Sequence, residues 1–176
     1  MLTRLYRPMT AGGGAFLICV GAALISAAFI PWAISGQILI AGFVIGALAI
    51  MVVSLVGRRR GLPKPSTRDI VLVWIPVAVE AAAFLFLVPM VPNDFRARMI
   101  AILAIVGAHF LPMAWSFGPL IAVLGLCCLS VAAAGLLIPT IPAEVLIATD
   151  GALKLCFGLA MFAALFRSPP SLSPTR

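Results

Sequence analysis

Four ionisable side chains lie within otherwise apolar segments, and they are the residues best able to do chemistry. They are Glu80, His109, Asp150 and Lys154, and His109 is the only histidine in the chain. A charge at the centre of a bilayer costs about 2.5–3.5 kcal/mol on insertion scales, so each group needs a partner or water. We therefore take these four residues as the candidate pathway for a proton or a substrate.

Asp150 and Lys154 are four residues apart, so they share one face of a helix and can form an ion pair. Such a pair has two interpretations. It neutralises itself so that its helix can enter the bilayer, or it supports or gates a transport path. Self-neutralisation is the simpler of the two.

Glu80 is then the acid without an obvious partner, and His109 on the next helix is the natural candidate. A short connection makes the two helices antiparallel neighbours. A Glu–His pair in a low-dielectric environment can bind and release a proton near physiological pH. The alternative is that His109 only forms a hydrogen bond between helices.

The composition indicates that lipid is the solvent around these residues. Of 176 residues, 64% are hydrophobic and 10% are charged, whereas soluble domains are about a quarter charged. The net charge of +7 does not indicate nucleic-acid binding, because the basic residues lie at the ends of apolar runs. The bilayer is the expected partner, and no nucleic acid is expected.

The pattern of apolar runs predicts an all-α fold, a polytopic membrane protein with six transmembrane helices. We expect one transmembrane domain over residues 1–166 and a disordered cytoplasmic tail over 167–176. Turns are expected at Ser35-Gly36-Gln37 and from Trp115 to Pro119, and a break or kink at Pro112. The predicted helices span about 11–33, 38–55, 70–87, 95–114, 120–137 and 143–166. The first run is too long for a signal-peptide core of about 7–15 residues, so it is expected to be retained.

The basic residues predict the orientation. Nine lie on the side of both termini, and two lie on the other side. The nine are Arg4, Arg7, Arg58, Arg59, Arg60, Lys64, Arg68, Arg167 and Arg176, and the two are Arg96 and Arg98. By the positive-inside rule, both termini are cytoplasmic in a multi-pass protein of the inner (plasma) membrane.

An internal repeat is visible at an offset of 81 positions. It aligns 27–41 with 108–122 and gives eight identities over fifteen positions, including paired Phe, Pro and Ser. The halves would cover about 11–90 and 95–166. Because each half has three helices, the two would be inverted in the membrane, as in many transporters. Duplication also builds inert scaffolds, so the repeat does not decide the function.

Motifs for cofactors and hydrolytic chemistry are missing from the sequence. It contains no Walker A loop, no G-x-G-x-x-G, no H-E-x-x-H and no G-x-S-x-G. The four cysteines form no C-x-x-C pair and are expected to pack in helices. Ser130 with His109 as base is the one conceivable enzyme site. We expect no enzyme, no cofactor and no metal site.

Two classes of function remain. The first is a small, proton-coupled transporter or permease of unknown substrate, which would assemble as a homo-oligomer because a single chain has little room for a cavity. The second is a structural or accessory subunit that packs against a larger membrane complex. Gly42-x-x-x-Gly46 allows close helix packing, and we expect it to serve a contact within the chain.

Overall fold

The computed structural model describes residues 9–59, 65–91 and 94–163, and the regular structure in this part of the chain is helical. The predicted tail over 167–176 lies outside the described residues. A short 3-10 turn, Val88–Met90, follows the third helix. The helices are α1 Thr10–Ala28, α2 Trp32–Arg59, α3 Thr67–Phe86, α4 Phe95–Phe117, α5 Pro119–Leu137 and α6 Ala143–Phe162.

All six helices are long and apolar enough to cross a membrane. The shortest have 19 residues, which at about 1.5 Å per residue matches a hydrocarbon core about 30 Å thick. The prediction of an all-helical protein with six helices of spanning length is therefore confirmed.

The first connection differs from the prediction. The chain leaves α1 at Ala28 rather than near Ala33, and the expected turn at Ser35-Gly36-Gln37 is wrong because those residues lie inside α2. Pro31 directly precedes α2, and its carbonyl accepts a hydrogen bond from the Ile34 amide at 2.9 Å. Proline cannot continue α1 but is favourable at the start of a helix. The connection therefore forms at Pro31 rather than at the Ser-Gly-Gln cluster.

The connection between α4 and α5 is also shorter than predicted. The chain stays helical from Trp115 to Phe117, and only Gly118 separates the two helices. Gly118 has φ of 99°, a left-handed conformation that favours glycine, and Pro119 begins α5. The helix also continues through Pro112, so a break there is wrong, whereas the kink stays a prediction.

The closest helix pair is α1 with α6, which run antiparallel. Gly14 lies against Gly158, and Gly21 lies against Gly151, so each helix contributes two glycines seven residues apart. A Cβ atom added at Gly21 would lie 2.7 Å from the carbonyl oxygen of Gly151. Small residues at helical spacing allow such close backbone contact in an apolar environment. The two helices therefore form the central pair of the bundle.

The other helices surround this pair. One packing partner of α4 is α5, α3 packs mainly against α4, and α2 packs mainly against α1. A Cβ at Gly46 would lie 2.7 Å from the Phe16 ring, and Gly42 also faces α1. The prediction that Gly42-x-x-x-Gly46 serves a contact within the chain is confirmed.

Two hydrogen bonds join three helix termini at one end of the bundle. The Thr10 hydroxyl at the start of α1 donates to the Phe117 carbonyl at the end of α4, at 2.9 Å. The Ser116 hydroxyl donates to the carbonyl of Asp69 in the first turn of α3, at 3.1 Å. The starts of α1 and α3 and the end of α4 therefore lie at the same end of the bundle.

Candidate functional site

Glu80 and His109 lie in contact across the seam between α3 and α4. The His109 Nδ1 and Glu80 Oε2 atoms are 3.1 Å apart. The His109 side chain is 8% exposed and the Glu80 side chain is 18% exposed. The carbonyl of Pro76, one turn before Glu80, also interacts with the imidazole. The structure thus brings together the two residues that the sequence suggested as partners.

Asp150 and Lys154 form an ion pair on α6, between Lys154 Nζ and Asp150 Oδ2. Both are deeply buried, with exposed side-chain fractions of 2% for Asp150 and 3% for Lys154. The other carboxylate oxygen, Oδ1, is buried and accepts no hydrogen bond from the described residues. The pair is therefore shielded from the surroundings, with one acceptor atom left without a donor.

Two further neighbours of Lys154 come from α5 and α4. Its Nζ atom lies 3.9 Å from Cys128 Sγ and 5.6 Å from the centroid of the Phe110 ring. An ammonium group is attracted to the face of an aromatic ring. Sequence reasoning treated Cys128 as a packing residue and used Phe110 only as a matched position of the internal repeat. Neither residue has a signal in the sequence, because both stand in uniformly apolar runs.

The two pairs belong to one layer of the bundle. Phe110 links them, because its ring centroid is 5.4 Å from that of His109 while Lys154 lies over its face. The ammonium of Lys154 also interacts electrostatically with Glu80 and His109. We call Glu80, His109, Asp150 and Lys154 the charge cluster. Carboxylate and imidazole groups are side chains that bind protons, and within membrane segments they often belong to proton relays.

The charge cluster lies near the middle of its helices. Glu80 is within the span Thr67–Met90, and His109 and Lys154 follow the midpoints of α4 and α6 by a few residues. The glycine contact between Gly151 and α1 lies directly beside Asp150. The central helix pair therefore sets the position of α6 at the depth where the ion pair lies.

Ser130, the one conceivable nucleophile, is exposed on α5. Its hydroxyl donates to the carbonyl of Leu126, one turn earlier, at 2.9 Å. Among the described residues, no group of three or more His, Cys, Asp or Glu side chains could hold a metal ion.

Arg96 is a structural residue that the sequence analysis counted only as a charge. Its guanidinium donates to the carbonyls of Gly135, Ile138 and Ile141, with the bond to Ile138 at 2.9 Å. These carbonyls belong to the end of α5 and the turn after it. A cation near a helix C-terminus satisfies carbonyls that have no partner within the helix. Arg96 therefore ties the start of α4 to the end of α5.

These features define an all-helical protein of six membrane-length helices that contains the charge cluster. The chain belongs to a family of unknown function, DUF6609, whose sequence profile matches residues 8–170. The chain has no significant match among curated proteins or among solved structures.

Proposed function

We propose that this protein is a multi-pass membrane transporter driven by protons, with Glu80 and His109 as its proton-binding pair. The observation that carries the proposal is the 3.1 Å contact between an acid and the only histidine at mid-depth in an apolar bundle. Ionisable residues in such positions are rare, and they mark proton relays and ion pathways. Histidine is the side chain whose ordinary pKa lies closest to physiological pH.

The surroundings of the pair support exchange of the proton. The Glu80 side chain is more exposed than the other three members of the charge cluster, and α3 packs mainly against α4. Pro76 and Pro112 both lie about one turn from the pair, towards the end of the bundle that holds the start of α3, and each removes a backbone hydrogen bond from its helix. The seam between α3 and α4 is therefore the part of the bundle through which a proton reaches Glu80.

The arrangement in the membrane follows from the charge distribution. Arg58, Arg59 and Arg68 lie at the end of the bundle that also holds the start of α1, and Arg96 lies at the opposite end. The proposed orientation therefore has both termini in the cytoplasm and the protein in the inner (plasma) membrane. The substrate that accompanies the proton is not specified by the charge cluster.

An inverted duplication is part of the proposal. If the two halves are exchanged, α1, α2 and α3 take the places of α4, α5 and α6. The contact of α1 with α2 then corresponds to that of α4 with α5, and the contact of α1 with α6 corresponds to that of α4 with α3. The sequence alignment of the two halves fits the helix boundaries less well. An offset of 81 aligns the first turn, Phe29–Pro31, with residues 110–112, which lie inside α4. The two halves have therefore shifted their first turn since the proposed duplication.

The proposal is tested by reconstituting the purified protein into liposomes that enclose a pH-sensitive dye. An imposed pH gradient should produce proton flux in the wild type, and Glu80→Gln should reduce it to the level of protein-free vesicles. Glu144→Gln is the matched control, since Glu144 is an exposed acid in the first turn of α6. If the wild type gives no flux with or without candidate substrates, the transporter proposal is wrong.

The second candidate function is an accessory subunit of a larger membrane complex. The observation that favours it is the outer surface of α2 and α3, which bears exposed large apolar side chains such as Phe43, Met51, Trp74 and Phe86. Native mass spectrometry after gentle detergent extraction distinguishes the two. A stoichiometric larger partner would favour the accessory role, and a homo-oligomer would favour transport.

A further inference from the structure

The charge cluster contains two carboxylates but only one ammonium group. Asp150 and Lys154 form an ion pair with exposed side-chain fractions of 2% and 3%, so these two charges compensate each other. With a neutral His109, the remaining negative charge therefore belongs to Glu80. A net charge in a low-dielectric layer is unfavourable without a counterion. One monovalent cation at Glu80 makes the cluster neutral.

One side of the seam between α3 and α4 is closed by apolar packing. Phe110 and Met113 of α4 belong to a buried apolar cluster, and Val77 of α3 packs against that cluster. Val77 lies three residues before Glu80, and Met113 lies four residues after His109, so both lie beside the pair on their helices. The interior side of the seam is therefore filled at the depth of the pair.

The other side of the seam is open at the outer surface of the bundle. Ala108 lies on the opposite side of His109 from Phe110, because successive residues of a helix are about 100° apart. Ala108 is exposed, as is Val79, which directly precedes Glu80 on α3. The surface of a spanning helix at mid-depth contacts lipid tails. The 18% of the Glu80 side chain that is exposed is therefore reached from the bilayer.

The charge cluster alone does not specify a substrate, but the open side of the seam limits the cations that fit. Metal cations such as Mg²⁺ and Ca²⁺ need about six or more oxygen ligands. In the described part of the chain, no three His, Cys, Asp or Glu side chains form a group of that kind. An organic cation that dissolves in lipid needs only a carboxylate for its charge and apolar contacts for the rest of the molecule.

We infer that the substrates are lipid-soluble organic cations, such as amphipathic amines, which enter the open side of the seam and bind the Glu80 carboxylate in exchange for its proton. This inference deepens the proposed function and rests on it. Binding of the organic cation requires that Glu80 has released its proton, and binding of a proton releases the cation. The cluster holds one counterion in either state.

Two ionisable groups outside α3 act on the competition for Glu80. His109 of α4 contacts its carboxylate at 3.1 Å. Lys154 of α6 acts on it electrostatically and is compensated by Asp150. The other charged side chains of α3 and α4 in the described ranges lie in the first turns of these helices and are Arg68, Asp69, Arg96 and Arg98. Protonation of Glu80 and His109 is therefore the change that pH makes at this site.

Binding of tetraphenylphosphonium, a lipid-soluble cation whose charge is independent of pH, tests the inference. The full chain is reconstituted into phosphatidylcholine vesicles, and vesicles without protein correct for partitioning into lipid. The wild type should bind the cation, and more weakly as the pH is lowered, because a proton then occupies Glu80. Glu80→Gln should weaken binding by about tenfold or more, and Glu144→Gln, which removes an exposed acid of α6, should leave it unchanged. No binding to the wild type, or equal binding to Glu80→Gln, would overturn the inference.

A modification experiment on the wild type decides the case in which Glu80→Gln yields no folded protein. Dicyclohexylcarbodiimide dissolves in lipid and adds to a carboxyl group without a leaving group, so the modified peptide gains the mass of the whole reagent. Mass spectrometry should find the reagent on Glu80, and tetraphenylphosphonium should slow the reaction. Failure to modify Glu80, or an equal rate with the cation present, would overturn the inference.

Proton flux measured in the same vesicles separates this inference from the proposed function. Flux in the wild type without binding of tetraphenylphosphonium would retain the transporter and reject organic cations as its substrates. Binding at Glu80 without any proton flux would retain the binding site and reject proton-driven transport.

Discussion

At the scale of single residues, Lys154 and Asp150 show how a buried ion pair constrains its own helix. The two groups compensate each other at exposed side-chain fractions of 3% and 2%. Removing one partner of such a pair leaves an uncompensated buried charge, whereas removing both leaves an apolar contact of similar volume. Variants that remove one partner should therefore lower the free energy of unfolding more than variants that remove both.

Lys154→Met should lower the free energy of unfolding by about 3–5 kcal/mol, because Asp150 loses its partner in a buried site. The double variant Asp150→Leu/Lys154→Met should recover most of this loss. Thermal unfolding in detergent, followed by circular dichroism, measures both. Equal destabilisation of the single and double variants would mean that packing rather than charge accounts for the pair.

Arg96 provides a second prediction at this scale. Its guanidinium donates to three carbonyls around the end of α5, and hydrogen bonds that involve a charged group contribute about 1.5–3 kcal/mol each. Arg96→Ala should therefore speed hydrogen exchange at the last turn of α5 and lower the unfolding temperature. Arg59→Ala, at the exposed end of α2, is the control and should change neither.

At the scale of helices, the central pair depends on four glycines that allow backbone contact. Gly21→Ala places a Cβ 2.7 Å from the Gly151 carbonyl oxygen, so the helices must separate. Overpacking of this kind costs about 1–3 kcal/mol. Gly36→Ala is the matched control, because nothing lies within 4 Å of its Cβ position. Glycine loses more backbone freedom on folding than alanine does, so Gly36→Ala should stabilise α2 by about 0.5–1 kcal/mol. Thermal unfolding compares the two variants.

The helices also show what the sequence can and cannot predict. Six spans and the contact of Glu80 with His109 follow from hydropathy and from short connections, which are local properties. The turn at Phe29–Pro31 was misplaced because a Ser-Gly-Gln cluster resembles a turn while its helical neighbours are uniformly apolar. The pairing of Gly14 and Gly21 with α6 was missed, since it joins residues more than a hundred positions apart.

The same limit applies to the candidate site. Phe110 and Cys128 approach Lys154 only because α4, α5 and α6 meet at one depth. Nothing in the spacing of these residues indicates that meeting. Charged residues in apolar runs are conspicuous in the sequence, whereas their apolar neighbours are not. The acids and bases of such a site can therefore be predicted, and the surroundings that set their chemistry need the structure.

At the scale of the whole molecule, the charge distribution predicts how the bundle sits in the membrane. Thr67 begins α3 at the end of the bundle with Arg58, Arg59 and Arg68, and Thr140 lies in the turn between α5 and α6 at the opposite end. Both threonines are exposed. If the basic end faces the cytoplasm, the two positions lie on opposite sides of the bilayer.

Single-cysteine variants test this orientation, in a background where the four native cysteines are replaced. In intact cells, Thr140→Cys should react with a membrane-impermeant maleimide, and Thr67→Cys should react only after the membrane is permeabilised. The reverse pattern would mean that the basic end faces outwards. Reaction at both positions in intact cells would mean that the helices do not cross the bilayer as six successive spans, and the depth argument for the charge cluster would then no longer hold.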